Sequence, residues 1–118
     1  MLSFGKSEKL KSRKAISRLF REGKSFSVYP LRVIFFSDPS INPSKVLFSC
    51  TVSKRNFKRA VDRNRIKRQV REAYRLQKQS LIEKNIPLEM MVMYVGKEMG
   101  DYQKIFKAMT KLLARIEG

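Results

Sequence analysis

The stretch LEMMVMYV, residues 88–95, is the strongest constraint on how this 118-residue chain can fold. Side chains along a strand alternate between the two faces of a sheet. Here Leu88, Met90, Val92 and Tyr94 share one face, and Met91, Met93 and Val95 share the other with Glu89. A strand that is apolar on both faces belongs in the middle of a sheet. Its unbroken apolar part, MMVMYV, is far too short to cross a bilayer, which takes about 20 residues of helix.

Two more strands can accompany it. LRVIFF, residues 31–36, puts Leu31, Val33 and Phe35 on one face and Arg32, Ile34 and Phe36 on the other. The first face suits a core, whereas the second mixes a cation with apolar groups. KVLFSCTV, residues 45–52, directs Val46, Phe48, Cys50 and Val52 towards a core and the more polar Leu47, Ser49 and Thr51 away from it. The link between them, DPSINPSK, is rich in turn formers, which predicts that these two strands pair antiparallel.

Helical patterns fill the rest. Ser12 is placed to cap a first helix through about residue 22, in which Ile16, Leu19 and Phe20 follow i, i+3, i+4 spacing and Gly23 is the stop. Residues 60–84 are helical in composition, and Pro87 separates them from the central strand. Gly96 and Gly100 bracket a loop. Asp101 can then cap a last helix with an apolar stripe of Tyr102, Ile105, Phe106, Met109, Leu112, Leu113 and Ile116. The expectation is a single α+β domain over residues 1–118, a small sheet with about three helices.

Charge is distributed far less evenly than hydrophobicity. The chain has 27 lysines and arginines against 10 acids, a formal net charge of +17. Such a balance opposes compaction and calls for a polyanion, nucleic acid first and an anionic membrane surface second. The cations concentrate in KRAVDRNRIKRQVREAYR, residues 58–75, which holds Lys58, Arg59, Arg63, Arg65, Lys67, Arg68, Arg71 and Arg75. On a helix advancing ~100° per residue, Lys67, Arg68, Arg71, Arg75 and Lys78 all fall within about 60° of Asn64. Ile66, Val70, Ala73 and Gln77 fall on the opposite side, able to dock on a sheet. A merely solvated face would mix acids with cations, because like charges at i, i+4 cost a few tenths of a kcal/mol per pair. Phosphates account for the pattern better: Arg forks grip them bidentately, Lys adds a point charge, and Asn64 can bond a base edge or a ribose hydroxyl. Lys54 and Arg55 extend the track into the preceding loop. A membrane-surface helix would need a larger apolar face than this one has.

Side chains for autonomous catalysis are scarce. There is no histidine and Cys50 is the one cysteine, so neither a Ser-His-Asp nor a Cys-His site can be built and zinc lacks ligands. The five glycines never cluster into a phosphate loop. A single cysteine and a polar beginning, MLSFGKSEKLK, fit a cytoplasmic protein without a signal peptide.

The run SKRNFKRAVDRNRIKRQVREAYR, residues 53–75, resembles the protein subunit of bacterial ribonuclease P. That family's signature has the form S-K-[KR], a short turn, A-V, then R-N-R-x-K-R-x-x-R-E. Arg63, Asn64, Arg65, Lys67, Arg68, Arg71 and Glu72 match every fixed position of its core. The resemblance extends more weakly to Leu10, Leu19, Phe20 and Gly23. Two departures stand out: Asn56 and Phe57 occupy a turn where many members have glycine, and Ile16 stands where an aromatic is common.

The resemblance implies the order α-β-β-β-α-β-α, a four-stranded sheet, and the signature helix in a left-handed β-α-β crossover of the kind found in a ribosomal-protein fold. A further short strand, continuing or breaking the second one, is expected within residues 49–54. It further implies a holoenzyme whose RNA subunit carries the active site and binds Mg²⁺, removing the 5′ leader of precursor tRNA. The protein would have no catalytic residue and no metal site of its own, and no protein partner is implied. Lys54, Arg55, Lys58, Arg59, Arg63, Asn64, Arg65, Lys67, Arg68, Arg71 and Arg75 would bind RNA. A cleft of Ile16, Phe20, Arg32, Ile34 and Phe36 would hold the single-stranded leader by stacking in a cationic groove. A ribosomal or general structured-RNA-binding protein without a role in cleavage is the alternative.

Overall fold

A computed structural model describes residues 13–37, 46–83 and 87–117. Leu88–Tyr94 is the hub: this strand, β4, lies inside a four-stranded sheet of order β1-β2-β4-β3. β1 (Lys24–Val28) and β2 (Leu31–Phe36) form a hairpin, and β2 runs antiparallel to β4 with Val33 opposite Val92. β3 (Val46–Val52) runs parallel to β4, with Cys50 opposite Val92. A parallel pair needs a crossover connection. It is supplied here by α2 (Ala60–Gln77) and the short α3 (Gln79–Glu83).

Three expectations are corrected. The strands at 31–36 and 46–52 do not pair with each other, because β4 lies between them. Its two apolar faces and seven-residue length make it the better neighbour for both, and a turn-rich link alone does not enforce pairing. β3 continues unbroken to Val52, so of the two alternatives for 49–54 the continuation holds and the break does not; the fourth strand is β1. The helical stretch 60–84 breaks at Lys78 into two helices, giving four among the described residues with α1 (Arg13–Glu22) and α4 (Tyr102–Glu117). The cap assigned to Ser12 lies outside the described residues.

The main core fills one face of the sheet. Leu31, Val33, Phe48, Leu88, Met90 and Val92 meet Ile66, Val70 and Tyr74 from α2 and Ile105, Met109 and Leu112 from α4. Each fully buried Leu or Ile is worth about 1.5–3 kcal/mol over an exposed one. The Tyr74 ring stacks on Phe48 at 4.0 Å between centroids. Asp101 caps α4 as expected, its Oδ1 accepting from the Gln103 amide at 2.9 Å.

α1 covers part of the other face. Leu19 is buried there on Ile34 and Met91, flanked by Ile16, Phe36, Leu47 and Met93. Gly23 ends this helix, its amide bonded to the Leu19 carbonyl at 2.9 Å. A Cβ here would strike that carbonyl and come within 2.9 Å of Ile34 Cγ2, so only glycine lets the helix descend so closely onto β2.

Candidate nucleic-acid interface

The basic surface begins in the loop after β3. Phe57 is buried in the core, its ring 5.9 Å from that of Tyr94, so this departure from the family's glycine anchors the turn. The turn is closed by the Phe57 amide bonding the Ser53 carbonyl at 3.1 Å and the Arg55 amide bonding Ser53 Oγ at 3.1 Å. Lys54, Arg55, Lys58 and Arg59 are left exposed around it.

Arg63 holds the loop to the helix. Its guanidinium donates to the carbonyls of Phe57 at 2.8 Å and Lys58 at 2.9 Å. The residue therefore positions the loop as well as contributing charge. A matching cation in the signature could be counted from sequence, but its use as a latch could not.

Ile66, Val70, Ala73 and Tyr74 fasten α2 to the core, and Asn64, Arg65, Arg68 and Arg71 point away from it, exposed. Lys67 is half-buried at the edge. Among the described residues, no carboxylate pairs with Arg65, Arg68 or Arg71. Arg75 differs: it clasps Glu72 through both ends of its guanidinium, with Nε 3.0 Å from Oε2. That bond holds the Glu72 carboxyl below its ordinary pKa. Lys78 is 3% exposed where α2 gives way to α3, so the basic face stops a turn earlier than helical spacing suggests. Gln77 docks on α4 as well as facing inwards, its Nε2 donating to the Phe106 carbonyl at 3.2 Å.

Beneath this face lies Cys50. Burial pushes its thiol pKa up, against the lowering influence of Arg71 and Lys67. It behaves as a small core residue in contact with the helix backbone.

The proposed cleft lies on the opposite face of the sheet, along α1. Phe20 is 55% exposed, which excludes plain core packing for its ring. Arg32 is exposed, with Nη2 3.5 Å from Ser25 Oγ. Ile16 and Phe36 are half-buried at the rim. Ile34 is a correction: at 9% exposure it lies under Leu19 and forms the floor, because α1 covers the middle of β2. Spacing alone put it on the right face but could not show the lid.

Sequence reasoning missed the residue pair that holds α1 in place. Arg18 Nη2 bonds Glu89 Oε1 at 2.6 Å, and the Glu89 side chain is buried. The same guanidinium lies 5.4 Å from the Phe36 ring centroid. The one acid in an otherwise apolar central strand was the available signal. Its partner, 71 positions away, could not be identified from spacing.

The ribonuclease P family model matches residues 4–117. A ribonuclease P protein component from Porphyromonas gingivalis is 45% identical, covering 96% of this chain and 85% of that protein. One from Chlorobium phaeobacteroides is 32% identical, covering 97% and 88%. The RNase P protein from Thermotoga maritima superposes with a TM-score of 0.74 at 28% identity, covering 94% of this chain and 99% of that one. The Staphylococcus aureus RNase P protein has the same fold, with a TM-score of 0.77 at 20% identity over 94% and 96% of the two chains.

Proposed function

Because this chain belongs to the ribonuclease P protein family, we propose that it grips the enzyme's RNA subunit through α2 and the loop before it, and guides the 5′ leader of precursor tRNA along the α1–β2 cleft. The observation that carries this reading is the arginine face of α2. Its Arg65, Arg68 and Arg71 are exposed and, among the described residues, have no carboxylate partner, and the Arg63 latch holds the preceding loop beside them. Phosphate oxygens are the groups such forks fit.

Cleavage of the phosphodiester would be assigned to Mg²⁺ positioning water in the RNA subunit. The protein's own contribution is charge: it lowers the repulsion between two RNAs, which otherwise requires more Mg²⁺. Membrane attachment finds no support in α2, whose apolar side is spent on the sheet, and no described helix is long and apolar enough to span a bilayer.

Reconstitution tests the reading. Protein, a ribonuclease P RNA and precursor tRNA should together release the 5′ leader at low Mg²⁺, where the RNA alone is slow and nuclease-treated protein alone is inert. Cleavage by the protein alone would overturn the division of labour. RNA binding without any stimulation would favour a general structured-RNA binder.

Phe20→Ala checks the cleft. An exposed ring contributes little to folding, so stability should change by less than about 0.5 kcal/mol. A lost base stack is worth roughly 1–3 kcal/mol, so the preference for precursor over mature tRNA should fall about fivefold or more. Equilibrium binding of both tRNAs by the holoenzyme measures it. Equal losses for both ligands would move the leader elsewhere.

A further inference from the structure

A pocket of about 410 Å³ opens where β1 turns into β2 and β4 leaves for α4. It shares no residue with the arginine face of α2 or with the α1 cleft. Tyr29 stands at its edge, 75% exposed, an aromatic ring with no packing role. Lys104, Lys107 and Lys111 of α4 line it at i, i+3 and i+7 spacing. They make a cationic stripe about 10 Å long. Among the described residues no carboxylate pairs with any of them.

The surrounding walls are preformed. The Val95 amide bonds the Pro30 carbonyl at 2.9 Å, tying together the two loops that frame the pocket. Tyr94 donates its hydroxyl to the Glu98 carbonyl at 2.8 Å. A Cβ at Gly96 would lie 2.8 Å from that hydroxyl, and one at Gly100 would lie 2.7 Å from Ile105 Cδ1, so the loop is moulded tightly onto the core.

We propose that this pocket is a second RNA-binding site, where one base of a single-stranded segment stacks on Tyr29 and its phosphates run along Lys104, Lys107 and Lys111. An aromatic platform beside a cationic track is what sequence-tolerant single-strand binding requires. The remaining polar lining narrows the choice of anion. Asp101 is occupied in capping α4, whereas the Glu98 carboxylate is an acceptor for a ribose hydroxyl or a base amino group. A bare phosphate or an acidic peptide offers no ring to stack on Tyr29.

Titration of the isotope-labelled full chain with penta-adenylate, followed by amide NMR shifts, tests the site. Saturable shifts are expected at Tyr29 and along residues 98–111, in addition to those on α2. Tyr29→Ala should weaken the pocket's response about tenfold, and Tyr29→Phe should restore it. Replacing Lys104, Lys107 and Lys111 with Ala should flatten the pocket's log K against log[salt] by about two units, at about 0.7 per phosphate. The α2 response should survive in every variant, which separates this site from the function proposed above. Absence of pocket shifts while α2 saturates would overturn the proposal. So would a Tyr29→Ala variant that binds as the parent does, or equal pocket binding by adenosine monophosphate or hexaglutamate.

Discussion

Replacing Arg65, Arg68 and Arg71 together with Ala should lower affinity for the ribonuclease P RNA about a hundredfold or more, with no loss of folding stability. Hydrogen bonds to charged groups are worth about 1.5–3 kcal/mol each, and all three side chains are exposed. The salt dependence should flatten by about two to three units of log K per log[salt], at roughly 0.7–0.9 per phosphate. Stability should hold or rise by a few tenths of a kcal/mol, because closely spaced like charges are being removed from one helix. Filter binding across a salt series, beside thermal unfolding, measures both. Loss of affinity with an unchanged slope would mean that these arginines do not meet phosphates.

Arg18→Ala should behave in the opposite way, lowering stability by about 3–5 kcal/mol through a single truncation, because it breaks an ion pair to a buried carboxylate. For a chain of this size that is a drop of about 10–20 °C in melting temperature. The double variant Arg18→Met, Glu89→Met should recover most of the loss, since packed apolar groups often replace a buried ion pair without cost. Its RNA-subunit affinity should remain intact, because α1 and α2 cover opposite faces of the sheet. A single-variant loss under 1 kcal/mol would show that water screens the pair.

The contrast between these variants mirrors what could be read from residues alone. The arginine face was legible because it is local: helical spacing places Asn64, Arg68 and Arg71 together, with Arg65 on the flank, with no knowledge of the rest of the fold. The central position of β4 was legible because both its faces are apolar. β1 was not, since KSFSV offers only Phe26 and Val28 between polar residues, as an edge strand with one covered face does. Lys78 was misplaced because angular arithmetic holds only while the helix continues. Ile34 was assigned to the correct face, but its burial depends on α1, and the depth of that helix depends on Gly23 and on the Arg18–Glu89 pair. Features set by contacts between distant segments left only traces: a stop signal, a lone acid, an alternating strand.

The central place of β4 also sets when the molecule can exist. β2 and β3 are made early, yet they do not pair with each other: β2 has β1 on one edge, and the strand that joins β2 to β3 lies in residues 88–94. On a ribosome, which releases the N-terminal part first, the hairpin and β3 must wait with open edges until β4 emerges. The basic helix α2 follows β3 in the chain and can rest Tyr74 on Phe48, but the rest of the core beneath it comes only with β4 and then α4. The surface that would hold RNA is thus completed only after the sheet, when α4 has arrived, so an unfinished chain offers its cations without the geometry to use them.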